Sequence, residues 1–263
     1  MNSPLQIELS NKSIAITGGY GHLGSAISKS LLAHGARVFV LGRSKTRFEE
    51  AFAIELSNLA KIKFVECDIA CEESWNTALE FIYAAGYGLD VLINNASFKR
   101  SASPENTSLQ DWNYSVDGVL GSVFNGIQAV SPYFKNQGKG KIINVSSIYA
   151  QVAPPFELYQ LRPESISPPH YGASKAGVEQ LTRYYAAYLG SAGITVNTVS
   201  PGPFPKNQVQ ENQSFIDELA QRTVLKRIGR PEELAGIFTF LSSEASNYIT
   251  GQNFVVDGGW TIQ

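Results

Sequence analysis

The run Ser13-Ile-Ala-Ile-Thr17, followed by Gly18-Gly19-Tyr20-Gly21-His22-Leu23-Gly24, leaves the start of this chain few ways to fold. A short apolar segment ends in glycines, and a helical pattern then continues through His34. Strand, glycine turn and helix, in that order, open a βαβ unit. Glycines at such a turn let the backbone approach a pyrophosphate, and the helix start adds free N–H groups and the positive end of its dipole. The candidate nucleotide contacts are Gly18, Gly21, His22, Leu23 and Gly24. The same alternation then recurs. Strands are expected at 36–41, 62–66, 89–93, 141–145, 193–199 and 253–256. Helices are expected at 45–58, capped by Ser44, then at 72–84, 109–135, 171–190, 215–221 and 231–241. Short apolar runs alternating with helices predict an α/β fold, a single Rossmann-type domain over 1–263. Its doubly wound parallel sheet would carry helices on both faces. Ligands then bind beyond the carboxyl ends of the strands.

Composition narrows the function classes. At 263 residues the chain is long enough for one large core, and its formal net charge of −2 offers no attraction to nucleic acid or membrane. Only 17% of residues are charged, against a usual quarter, and 43% are apolar, which fits surface buried between subunits of a homo-oligomer, a dimer or tetramer. Cys67 and Cys71 are the only cysteines and complete no metal site, so they read as buried thiols in a reducing compartment. Residues 1–9 lack the basic and apolar regions of a signal peptide, and a cytoplasmic location is expected.

The chemistry is expected around Tyr171-Gly-Ala-Ser-Lys175, with Ser146-Ser147 upstream. Residues four apart share a helix face, so Tyr171 and Lys175 present a phenol and an ammonium together. At about 4 Å and an effective dielectric near 20, the ammonium favours the phenolate by roughly 4 kcal/mol, about a thousandfold in ionisation. Such a phenol can exchange protons near neutral pH, and the Ser147 hydroxyl can hold a substrate oxygen beside it. At the end of the second strand, Gly42-Arg43-Ser44 lacks the acidic residue that binds a ribose 2′-hydroxyl. Arg43 and Ser44 instead suit a 2′-phosphate, favouring NADP(H) over NAD(H).

These motifs resemble the short-chain dehydrogenase/reductase family from end to end of the chain. The resemblance rests on the glycine loop, Asp68, Asn94-Asn95-Ala96-Ser97, Ser147, Tyr171 and Lys175. It extends to Ser200-Pro201-Gly202, Ile249-Thr250-Gly251-Gln252 and Val256-Asp257-Gly258-Gly259-Trp260. It implies that Asp68 and Ile69 flank an adenine, that Asn95 and Ala96 position the cofactor, and that Pro201, Gly202 and Phe204 meet the nicotinamide. It also implies that Ser147, Tyr171 and Lys175 carry catalysis, Lys175 holding the nicotinamide ribose as well.

Three departures stand out. The glycines follow the spacing of the family's extended branch, with His22 where the compact branch has glycine. Val119 occupies the usual place of a tetrad asparagine. Tyr171 follows Ser147 by 24 positions, about twice the usual span, and this proline-rich insertion resembles that of sugar- or polyol-acting reductases. Ser146, Tyr149, Tyr159, Arg162 and Lys99 are the candidate substrate contacts. The expected activity is NADP-dependent interconversion of a secondary alcohol and a ketone on a small molecule. The competing readings are a sugar-nucleotide epimerase or dehydratase that recycles its cofactor, and a non-catalytic NADP sensor.

Overall fold

The computed structural model describes residues 7–53, 61–100 and 103–263. Seven parallel strands lie in the order β3-β2-β1-β4-β5-β6-β7. They are β1 (Ser13–Thr17), β2 (Arg37–Gly42), β3 (Ile62–Glu66), β4 (Val91–Asn94), β5 (Gly140–Val145), β6 (Ile194–Pro201) and β7 (Asn253–Val256). This is the doubly wound Rossmann-type sheet that the alternation of strands and helices implies.

The strands alternate their side chains between two helical layers, as a period of two demands. In β1, Ile14 and Ile16 pack with α1 (His22–Ala33), α2 (Lys45–Ala51) and α9 (Pro231–Ser242), through Ile27, Phe48 and Phe238. Ala15 faces the other layer, formed by α3 (Glu72–Ala84), α5 (Ser122–Gln137) and α6 (Pro169–Leu189), with Trp75, Val123 and Val178 in the core. Both faces of the sheet are thus covered, which accounts for central strands such as β1 and β4 that are buried at every position. The order reverses between β1 and β4, and that switch point is where a parallel sheet opens a crevice.

Several boundaries differ from expectation. The helix after Ser44 ends at Ala51, and residues 54–58 of its expected span lie outside the described residues. The helix expected over 109–135 contains a wider turn: α4 (Leu109–Val116) passes through a π-helical stretch, Asp117–Gly121, into α5. α6 starts two residues before Tyr171, with Pro169 at its first position, where the missing N–H costs nothing. Residues 207–228 hold α7 (Asn207–Gln210) and α8 (Gln213–Gln221). Cys67 is buried, whereas Cys71 is exposed, because it stands at the solvent edge just before α3. Among the described residues no helix is long and apolar enough to cross a membrane.

Candidate active site

A cleft of about 530 Å³ lies across the carboxyl ends of β1, β2, β4, β5 and β6, a size suited to small molecules and cofactors. Its floor is the glycine turn. Gly18 has φ +61°, and a Cβ there would sit 3.0 Å from that of Ala96. A Cβ at Gly24 would strike the Gly18 carbonyl and approach the Asn95 amide at 2.9 Å. Only hydrogen fits at both places. The N-cap of α1 is Gly21, with no side chain accepting from the first turn, so the N–H groups of that turn remain available to an anion. Asn95 fixes the turn from the side: its Nδ2 donates to the carbonyls of Thr17 (2.9 Å) and Gly18 (3.2 Å). Thr17 Oγ1 accepts from the backbone N–H of Asn95 and of Ala96. Across the cleft, His22 Nε2 lies 3.1 Å from the Phe204 carbonyl oxygen and joins the glycine turn to the loop after β6. That contact gives the departure at position 22 a structural use.

At the end of β2 the Tyr20 ring lies against Gly42, where a Cβ would collide with it. Its hydroxyl accepts from the Arg43 N–H at 3.2 Å, and the Arg47 guanidinium sits 5.4 Å from its ring centroid. Arg43 and Arg47 both line the cleft, and neither forms an ion pair with a described residue. Arg47 is a candidate contact that the sequence reading missed, since one turn into a helix it looks like any solvated cation. Ser44 does not reach the cleft, because its Oγ is spent accepting from Arg47 N. Asp68 is likewise drawn away: its Oδ1 accepts from Ala70 N, and Ile69 and Cys67 line the wall instead. The uncapped helix start, the glycine cradle and the two free guanidiniums together fit a dinucleotide carrying phosphates.

At the other end of the cleft, β5 delivers Ser146 and Ser147, and the first turns of α6 deliver Tyr171 and Lys175. Ser146 spends its hydroxyl on the Lys175 carbonyl at 2.9 Å. Ser147 is hydrogen-bonded to the Tyr171 phenol, and this partly offsets the burial that pushes the phenol above its ordinary range. That direction corrects the expectation of a phenol already lowered by its lysine. Lys175 is 4% exposed, and its Nζ donates to the Val145 carbonyl at 2.7 Å, 5.8 Å from the Tyr171 ring centroid. Burial, followed by the charge of Lys99, brings the Lys175 pKa from an ordinary 10.5 down to about 8. Between pH 8 and 10.5 the unfolded chain therefore holds a proton that the folded chain has released, so stability rises with pH across that window. The cofactor-free protein should gain roughly 2–3 kcal/mol between pH 7 and 10 relative to Lys175→Met, as read by denaturant unfolding. Parallel stability curves for the two proteins would refute the shift.

Val119 is fully buried within the π-helical turn, where Ser122 N–H reaches back to the Asp117 carbonyl. The turn is held by Ser122 Oγ, which donates to the Gly118 carbonyl at 2.9 Å. Valine supplies no polar atom here, in line with the departure noted above. Glu179, also missed from sequence, lies one turn beyond Lys175 and is 8% exposed. Its Oε1 accepts from Asn253 Nδ2 (3.0 Å), Ser200 Oγ (3.1 Å) and Gln151 Nε2 (3.3 Å). It ties the loop after Ser147 to β6 and β7.

The long insertion is packed rather than loose. Leu158 and Tyr159 are buried with Ile148, Phe215, Leu219 and Trp260, which joins the insertion to α8 and the carboxyl terminus. Tyr159 donates to the Tyr149 hydroxyl at 3.0 Å. Both phenols stand close enough to Tyr171 for charge on one to oppose charge on another. They are therefore near the reacting end, although neither lines the cleft itself. Arg162 is not brought there: its Nε bonds Ser165 Oγ at 2.8 Å and pairs with Glu164 at 3.1 Å within its own short turn. Pro201, Gly202 and Phe204 line the cleft after β6, and Gly202 N–H is held by the Val256 carbonyl.

Comparison with known proteins agrees with this geometry. The family model described as "Enoyl-(Acyl carrier protein) reductase" matches residues 21–261. Gluconate 5-dehydrogenase of Gluconobacter oxydans is 31% identical over 265 residues, covering 100% of this chain and 99% of its own. The crystal structure of a gluconate 5-dehydrogenase from Burkholderia cenocepacia, in complex with NADP and tartrate, superposes with a TM-score of 0.86. It shows 28% identity over 98% of each chain. A short chain dehydrogenase from Leptospira borgpetersenii with bound NAD+ gives a TM-score of 0.85 and 30% identity, covering 100% of this chain and 98% of that one. The chain belongs to the short-chain dehydrogenase/reductase family and is an NAD(P)-dependent oxidoreductase acting on CH–OH groups.

Proposed function

We propose that the protein interconverts a secondary alcohol and a ketone with NADP(H), on a small sugar- or polyol-related substrate. The observation that carries this reading is the meeting of the Tyr171 phenol, the Ser147 hydroxyl and the Lys175 ammonium at the carboxyl end of β5. When bound, the nicotinamide takes or supplies the hydride, which is cofactor chemistry. Tyr171 removes the hydroxyl proton of the alcohol, or returns a proton to the ketone oxygen, while Ser147 donates to that same oxygen and fixes its direction. Lys175 leaves the Val145 carbonyl to hold ribose hydroxyls, and its charge then favours the phenolate. The hydroxyls of Ser97 and Ser147 make the reacting end of the cleft polar, which suits a polyhydroxylated compound. Relatives named for gluconate and glucose oxidation support the same choice.

The relatives themselves do not choose the cofactor, since one solved structure holds NADP and another NAD+. Arg43 and Arg47 favour NADP, because a 2′-phosphate supplies the anion that both lack. Arg43→Asp should weaken NADP binding by about 1.5–3 kcal/mol while leaving NAD binding within a few-fold. Equal affinity of the wild-type protein for the two nucleotides, measured by calorimetry, would exclude the assignment. A screen of sugars, polyols and their oxo forms with NADP(H) tests the reaction itself. Absence of any change in nicotinamide absorbance across that screen, with cofactor tightly retained, would favour an epimerase-type cycle instead.

A further inference from the structure

We propose that Lys99 forms the anion-binding part of the substrate site, so that the enzyme prefers a hydroxy or oxo compound bearing a carboxylate or phosphate. The proposal rests on the reading of Tyr171 as the group that exchanges a proton with substrate. Lys99 Nζ lies 4.4 Å from the centroid of the Tyr171 ring, so the reacting phenol carries one ammonium on its face and a second, Lys175, at 5.8 Å.

The position of Lys99 is built from both sides. On one side, Phe98 packs on Tyr114 with ring centroids 4.9 Å apart, and its N–H donates to the Gly118 carbonyl at 3.3 Å. That approach is possible only because residue 118 is glycine, since a Cβ there would strike the Phe98 carbonyl and ring. On the other side, Arg100 N–H donates to Ser115 Oγ at 3.0 Å, and its carbonyl lies 3.1 Å from His170 Nε2. The Arg100 guanidinium is itself committed, pairing with Asp111 at 2.9 Å and lying over the Tyr114 ring. Of the two adjacent cations, only Lys99 is left to serve a ligand.

Lys99 forms no ion pair with a described residue; it stands beside the cleft, reaching it over the Tyr171 ring, and no aspartate or glutamate is among the described residues that line the cleft. The residue as a whole is exposed, while loss of solvent around its ammonium holds its pKa below the ordinary range. An ammonium held at the reacting phenol, with a second one nearby and no carboxylate to balance them, is an unfavourable arrangement that a bound oxyanion relieves. A substrate whose reacting carbon sits at Tyr171 and Ser147 would place an anionic group one or two bonds away within reach of Lys99.

The test uses the NADP-loaded enzyme with two matched pairs, gluconate against glucitol and glycerol 3-phosphate against glycerol, which also distinguish carboxylate from phosphate. The wild-type protein should favour the charged member of at least one pair by about tenfold or more in kcat/KM. Lys99→Met should erase that preference through KM, and Lys99→Arg should retain it. A wild-type preference for the neutral members, or a preference that survives in Lys99→Met, overturns the proposal. If no member is turned over, binding of malate and of inorganic phosphate to the NADPH-loaded protein decides, read by nicotinamide fluorescence. Lys99→Met should weaken one of them at least tenfold with NADP affinity unchanged, whereas equal binding, or none, in both proteins overturns it. Tyr171→Phe keeps the ring under Lys99 and should still bind the anion. A failure of the proton-exchange reading would therefore show as an active Tyr171→Phe, and a failure of the anion site as unchanged binding in Lys99→Met.

Discussion

Tyr171→Phe should lower turnover by about 10²–10⁴-fold, the usual contribution of a positioned acid or base. In barrier terms this is roughly 3–5.5 kcal/mol. The substitution removes one oxygen, keeps the ring that packs beneath Lys99, and leaves the glycine turn and the arginines of the ribose end untouched. Cofactor affinity should therefore stay within a few-fold of wild type. Lys175→Met provides the contrast. Its ammonium is the donor to Val145 and the only cation among the cleft-lining residues contributed by α6, so both turnover and cofactor affinity should fall. The measurement is kcat and KM for alcohol and ketone together with NADP binding by calorimetry. If Tyr171→Phe retains more than a few per cent of wild-type turnover, the proton passes through another group.

Glu179→Ala should cost roughly 2–4 kcal/mol of stability, through groups left without a partner rather than through lost packing. Ser200 Oγ retains Asn253 Oδ1, and Ser146 Oγ retains the Lys175 carbonyl, so those two hydroxyls stay satisfied. Gln151 Nε2 and Asn253 Nδ2 lose their acceptor. For a chain of this length the expected fall in Tm is on the order of 5–15 °C. Glu179→Gln keeps an acceptor oxygen and should recover part of the loss. Because the carboxyl bridges the loop that starts at Ser147 to β6 and β7, the Ala variant should also raise KM before it lowers cofactor affinity. A Tm within about a degree of wild type would show that the network is slack and stabilises nothing.

Much of this molecule is determined by local sequence. The alternation of apolar strands with helices, and the crossover connections that parallel strands require, produce a doubly wound sheet without reference to any distant residue. The glycine turn, Asn95 and Ser147 likewise map onto successive strand ends, with Tyr171 and Lys175 on the helix that follows, because a parallel sheet brings all its carboxyl ends to one edge. Helix caps such as Ser44 are legible for the same reason, being interactions over three residues.

Only the tertiary structure decides how each side chain spends its bonding capacity. Ser44 and Arg162 carry suitable chemistry for a ligand, yet nearby backbone and side-chain groups claim them first. Arg47 and Glu179 look in sequence like solvated helix residues, and become parts of the site through contacts with Tyr20 and with Gln151, Ser200 and Asn253. The Tyr171–Lys175 pair shows the limit most directly. Four-residue spacing does place both groups on one helix face, but the direction of the phenol's pKa follows from desolvation, which the Ser147 hydroxyl only partly offsets. Both are properties of packing between β5 and α6. Spacing along the chain sets which groups can meet, and burial by residues far apart in sequence sets what those groups do when they meet.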